Sequence, residues 1–253
     1  MLINAFAMLA GSGGAPRAAI FMGKKDNDTA ERIIGNCFTF IMICAVVLTA
    51  VFYVSAPQLL RWFGASDATL PYALSYARIY ILGSVFVLIV MAMNMFITTQ
   101  GFAKISMLTT VIGAVTNIVL DPVFIFVFNM GVRGAALATV FSQCVSAFLV
   151  TWSLTKDYDS MKLQFRELRM EACVLKRELK IGIPGALQAC AYGVTNVVIQ
   201  ASINSFGTDT AAGWAAYGKL DLIFWTVSSA LGAAVTTFVG QNYGAGKWDR
   251  VYK

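Results

Sequence analysis

The 253-residue chain contains no histidine, and only 13% of its residues are charged. The first absence removes His-ligated metal centres, haem ligation and His-based acid or base catalysis together. Most membrane-enzyme readings go with them, so neither an enzyme activity nor an organic cofactor is expected. The second absence sets the chain apart from soluble domains, in which about 25% of residues are charged. Cysteine is sparse and unpatterned: Cys37, Cys44, Cys144, Cys173 and Cys190 show no C-x-x-C spacing and fall mostly in apolar runs, where a thiol packs as a small hydrophobe.

What is present is hydrophobic length. At 58% hydrophobic residues, the sequence reads as an all-α, polytopic transmembrane bundle, because its apolar runs approach or exceed the roughly 20 residues that cross a bilayer. Seven spans are predicted. The first runs from Met1 to about Gly23, interrupted at Gly11-Ser12-Gly13-Gly14 and Pro16. Arg32–Val54, ending before Pro57, and Leu70–Thr99 follow, then Ile105–Phe128, Gly131–Leu154, Ile181–Phe206 and Ala211–Gly240. The net charge of +6 sorts by loop. One side receives Arg17, Lys24, Lys25, Arg32, Lys104, the basic residues between Lys156 and Lys180 including Arg166, and Lys247, Arg250 and Lys253. The other receives Arg61, Arg78, Arg133 and Lys219. Basic loops stay cytoplasmic, so the first set faces inward and nucleic acid is not the expected partner.

Between the spans, residues 156–180 carry apolar side chains at Met161, Phe165, Leu168, Ala172, Leu175 and Leu179. That spacing predicts an amphipathic helix on the membrane surface, linking two halves. The divisions expected are 1–155, 156–180 and 181–253. A shift of 221 residues superposes Gly11 on Gly232, Gly23 on Gly244 and Asp28 on Asp249. Transporters are often built from such repeats, and a period of this length holds about six spans. The chain is therefore expected to cover little more than one copy, with a helix before Met1 and several after Lys253.

The chemistry-bearing stretch is TTVIGAVTNIVLDPVFIFVF. Asn117 and Asp121 are four apart and share a helix face. An aspartate at bilayer depth costs about 2.5 to 3.5 kcal/mol on insertion scales, so it should face a polar cavity rather than lipid. Pro122 has no N–H and frees the carbonyl of Ile118 on the same side. Carboxylate, amide and carbonyl together suit a proton or a sodium ion held at Asp121. Structural readings stay open: Asn117 as interhelical glue, and Asp121 as the partner of Arg133. Gln188, Asn196, Gln200 and Asn204 form a spaced polar set that lines a cavity or bridges helices.

The stretches GGAPRAAIFMGKKDNDTAERIIGN, TNIVLDPVFIF with GVRGAALATVFSQ, and VGQNYGAGKWDR resemble, in this order, the multidrug and toxic compound extrusion (MATE) family within the wider group of multidrug, oligosaccharide-lipid and polysaccharide exporters. The resemblance implies twelve helices in two six-helix lobes forming an inverted V, of which the spans here match the second to eighth. It implies a multi-pass protein of the cytoplasmic membrane, monomeric at full length and in contact with lipid. It would exchange a proton or sodium ion for a small, often cationic amphiphile. By position, Asn117 and Asp121 match the amide and carboxylate of the family's fifth helix, and Thr139 the hydroxyl of its sixth. Ile181–Phe206 lacks the seventh-helix glutamate of NorM-like members, so the pattern is closer to DinF-like ones. The alternatives carried are a lipid-linked oligosaccharide flippase, which needs a basic cavity that Arg17 and Arg78 would begin, and a non-transporting membrane scaffold.

Overall fold

The computed structural model describes residues 2–62, 66, 67, 69–156, 161–165 and 168–252; Arg166 and Lys253 lie outside them. Most of the described residues are helical and none lies in a strand. In order they form α1 (Leu2–Gly23), α2 (Asn27–Trp62), α3 (Leu70–Leu82), α4 (Ser84–Thr99) and α5 (Ala103–Pro122), which runs on into a π-helical turn (Val123–Val127). Then come α6 (Val132–Thr155), α7 (Ala172–Asn204), α8 (Thr208–Gly244) and the short α9 (Trp248–Val251). α2, α6, α8 and α5 with its π-turn are long and apolar enough to cross a membrane, and α3 with α4, bent by 49° at Gly83, makes a fifth span. The other two expected spans, α1 and α7, are long helices whose glycine, proline and charge lower their hydropathy.

α1 is the centre of the bundle, packed on α2, α4, α7 and α8. Its Gly-Ser-Gly-Gly run does not interrupt it. Small residues there let α4 approach at Gly11, α7 at Gly13 and α2 at Gly14, which is how helices associate where no hydrophobic force separates protein from lipid tails. A Cβ on Gly13 would strike the carbonyl of Glu178, and one on Gly182 the carbonyl of Leu9, so α1 and α7 meet backbone to backbone. Nor does α2 end before Pro57. The helix carries Pro57 in its interior and continues to Trp62.

The 221-residue repeat is visible in hydrogen bonds. At the end of α1, Lys24 N–H donates to Ile20 O (3.1 Å), Lys25 to Met22 (2.9 Å) and Asp26 to Phe21 (3.0 Å). At the end of α8 the equivalent residues repeat all three: Ala245 to Gln241 (3.0 Å), Gly246 to Tyr243 (3.1 Å) and Lys247 to Asn242 (2.9 Å). Lys25 (φ 61°) and Gly246 (φ 68°) hold the left-handed position that such a helix stop requires. The two ends also touch reciprocally, with Gly23 against the Gln241 carbonyl and Gly244 against that of Ile20. Glycine is needed at both contacts because the opposing atoms are backbone and cannot turn aside.

The expected amphipathic helix across 156–180 does not form in the described part. Residues 161–164 and 168–171 are irregular, and regular helix begins at Ala172 as the start of α7. Met161 and Leu163 are buried at 2% exposure in the main core, so this segment packs on protein instead of lying on lipid. Glu31 on α2 holds it by accepting from Lys162 N–H (3.3 Å) and Gln164 Nε2 (2.6 Å), and Gln100 Nε2 donates to Met161 O (2.8 Å). These contacts gather Lys24, Lys25, Lys162 and Lys247 at one end of the bundle. Pro71, Tyr72 and the Asn129–Arg133 turn share a cleft at the other. That is the sidedness the loop charges required.

Candidate cation and proton site

α5 places Asn117 and Asp121 one turn apart, both half-buried, on a helix of whose apolar span only 6% is buried. Asn117 Nδ2 and Asp121 Oδ1 are each inaccessible and without a hydrogen-bond partner. Buried polar atoms are nearly always paired, so two orphans of opposite polarity on one face mark a place where a ligand or water completes the set. After Pro122 the ladder widens: Phe128 N–H reaches Val123 O (3.0 Å) and Met130 N–H reaches Phe124 O (3.1 Å). Such π-turns are frequent at functional sites.

α6 runs antiparallel beside this face. Gly134 abuts the backbone of Phe124, and Ser146 abuts Gly113 and donates from Oγ to Thr109 O (3.1 Å). In that register Thr139 falls level with the turn between Asn117 and Asp121. Its hydroxyl donates to Ala135 O within α6 (3.0 Å) and makes no hydrogen bond to either residue, leaving its oxygen lone pairs available. Asp121 makes no ion pair with Arg133; the one ion pair among the described residues joins Arg61 to Asp67 at 4.0 Å.

Two cavities adjoin α1. One of about 340 Å³ lies between α1, α4, α5 and α8, faced by Ser12, Asn94, Thr98, Thr236 and Thr237. The other, about 360 Å³, lies between α1, α7 and α8, with Met8, Gln188, Tyr192, Asn196 and Trp225. No charged side chain lines either, and neither is reached by Asn117, Asp121 or Thr139.

The sequence profile of the family described as MatE matches residues 1–123 and 184–253, well over half of the chain. The chain belongs to the MatE family. It is 26% identical to "Probable multidrug resistance protein YoeA" of Bacillus subtilis (strain 168), over 99% of this chain and 56% of that one. It is 32% identical to "Probable multidrug resistance protein YpnP" of the same organism, over 76% and 43%. Among solved structures, "Crystal structure of MATE in the bent conformation" superposes with a TM-score of 0.90 at 25% identity, covering all of this chain and 57% of that one. The chain thus spans about half the length of the curated relatives it matches, and it is a multi-pass integral membrane protein of the plasma membrane.

Within this MatE chain the spaced polar set divides. Gln188 and Asn196 line the second cavity, whereas Gln200 donates to Asn204 (2.8 Å) in an exposed pair. The cysteines divide too: Cys37 is buried, Cys44 and Cys144 are half-buried, and Cys173 and Cys190 are exposed rather than packed. The structure adds residues that the sequence reading passed over. Asn94 accepts from Thr109 Oγ1 (3.2 Å) and donates to Thr110 Oγ1 (3.4 Å), tying α4 to α5 beside the first cavity. Gln241 Nε2 donates to Thr99 O (2.8 Å), tying α8 to α4. An amide inside the run MAMNMFITT was the available signal for Asn94, of the same kind that singled out Asn117.

Proposed function

We propose that this chain forms the coupling half of an exporter that exchanges a proton or sodium ion for small, often cationic amphiphiles. The observation that carries the reading is the orphaned pair on α5, an amide and a carboxylate one turn apart beside the π-turn. In this reading Asp121 alternates between a protonated state and a charged one that is ion-bound or open to water, with Asn117, the freed Ile118 carbonyl and Thr139 completing the set. The lobes divide as 1–155 and 181–253, joined by 156–180; the repeated helix stop at α1 and α8 supports that division. Residues 181–206 carry no acidic residue, and Glu178 lies earlier on α7, which supports coupling centred on α5, as in DinF-like members. The intact transporter acts as a monomer in lipid.

The flippase alternative requires a basic cavity. Here Arg17 is turned to the carbonyl of Val174 (3.4 Å) and Arg78 lies over the Tyr53 ring, so neither lines the cavities beside α1. A scaffold has no use for an unpartnered carboxylate at membrane depth.

The test is Asp121→Asn in the intact protein, reconstituted in vesicles with an imposed proton or sodium gradient. Asparagine keeps size and shape but cannot titrate, so the variant is expected to insert and fold while gradient-driven export falls to the empty-vesicle level. Arg133→Gln is expected to transport normally, since no ion pair is broken. Normal export by a stable Asp121→Asn protein overturns the coupling role. Rescue of an unstable Asp121→Asn by added Arg133→Gln would instead assign the carboxylate to structure.

A further inference from the structure

A second carboxylate is sealed where α1, α2 and α7 meet. Glu178 is 2% exposed, and neither of its oxygens has a hydrogen-bond partner. Its backbone carbonyl lies against Gly13 of α1, and the Cys37 thiol of α2, itself inaccessible, sits between Gly14 and the Glu178 side chain while donating to Ala10 O (3.5 Å). Next to Cys37, Asn36 is 1% exposed; it donates to Glu171 O (3.1 Å) and leaves its own oxygen buried and unpaired. The charged neighbours on α7, Lys176, Arg177 and Lys180, all point outward.

The groups facing Glu178 decide what it can be. Arg17 from α1 and Cys37 from α2 are the titratable or charged ones, and α8 presents none among the described residues. Arg17 forms no ion pair with it, and its guanidinium is engaged with Val174 O (3.4 Å). An ionised carboxylate with only the weak Cys37 thiol beside it and no ion pair, in a closed helix junction, would carry a desolvation penalty of several kcal/mol. A protonated one is far easier to bury. The junction therefore favours the acid over its anion, and the two helices that seal it meet at the glycines Gly13 and Gly182, with the Arg17 bond to Val174 O as a side-chain tie between them.

We propose that Glu178 is a proton-binding site that closes the α1–α2–α7 junction: the junction seals on the neutral carboxyl, and loss of the proton parts α7 from α1 and admits water. This goes beyond the coupling role of Asp121 and does not depend on it, because it concerns a different carboxyl, on α7. One proton governs the step, so the ratio of open to closed junction changes by at most about tenfold per pH unit around its midpoint.

The experiment uses the intact protein in nanodiscs with Cys44, Cys144, Cys173 and Cys190 replaced by alanine and spin labels attached at pH 6 to cysteines at the exposed positions Lys25 and Lys176. Electron–electron distance measurements are then made from pH 6 to pH 9. The expected result is a short distance at low pH and a longer population that grows as pH rises, while Glu178→Gln and Glu178→Leu keep the short distance throughout. Arg17→Gln, which removes the cation favouring the anion, is expected to move the transition to higher pH. A distance distribution that ignores pH overturns the proposal, as does a Gln or Leu variant that shifts like the parent. If both Glu178 variants fail to fold, an unmoved transition in Arg17→Gln overturns it equally. Asp121→Asn should leave the transition in place, so failure of the α5 coupling reading and failure of this one give different results.

Discussion

The α5–α6 face and the α1–α7 junction both hold an unpartnered carboxylate, yet they are built in opposite ways. Around Asp121 the helix is largely uncovered: Ile118 and Val119 beside it are 70% and 57% exposed, and the neighbouring ladder is loosened by Pro122 and the π-turn. Around Glu178 everything is closed, with backbone against backbone and a thiol filling the remaining space. On the proposed reading, a carboxyl of the first kind would exchange its ion or proton through small local movement. One of the second kind exchanges only when helices separate. Orphaned charge alone therefore does not define a role; the stiffness of its walls does.

Glycine substitutions sharpen that contrast and give the largest structural effect. In Gly182→Ala the new methyl meets the Leu9 carbonyl, a backbone atom that moves only if α1 and α7 part. Overpacking of this kind typically costs about 1–3 kcal/mol. The expected outcome is a lower melting temperature of the intact protein and a longer Lys25–Lys176 label distance already at pH 6. In Gly113→Ala the methyl meets the Ser146 hydroxyl, which can rotate away at the loss of its bond to Thr109 O. That loss is about 0.5–1.5 kcal/mol, with the label distance unchanged. Equal destabilisation by the two would erase the distinction between a stiff junction and a yielding face.

The sequence revealed these regions unequally, for physical reasons. Asn117 and Asp121 stood out because polar residues are rare in an apolar run, and the structure leaves them unpaired where the helix period put them together. The repeat was detectable in part because a close backbone contact needs glycine, a demand that recurs at Gly23 and Gly244, whereas the left-handed helix stops at Lys25 and Gly246 share no residue type. Glu178 was hidden by its neighbours: within Lys176–Lys180 it reads as one more solvated charge, and only the position of α1 removes it from water. The 156–180 segment misled because Met161, Phe165 and Leu168 have helical spacing, whereas Met161 and Leu163 are the buried pair, two apart as in extended chain. Pro57 did not stop α2, which carries it in its interior at the cost of one missing N–H.

The smallest effect belongs to a third carboxylate, which lies in water and has its partners. Asp26 caps α2 at the α1–α2 turn, accepting from Thr29 N–H (3.1 Å). The Thr29 hydroxyl and backbone N–H hold its carboxyl below the ordinary value of 3.8. With the folded value below the unfolded one, the carboxylate stabilises the fold above about pH 4, and this contribution is lost as pH falls through the folded value. The equivalent residue of the second turn, 221 positions on, is Lys247, which caps nothing through its side chain. Asp26→Asn retains a capping oxygen, so melting temperatures of parent and variant should nearly coincide at pH 7. Below about pH 4 the parent should lose stability more steeply than the variant. Parallel curves down to pH 3 would mean that the Asp26 cap contributes nothing through its charge. They would leave Asp121 and Glu178 untouched, because the contrast between those two rests on missing partners and that of Asp26 on partners it has.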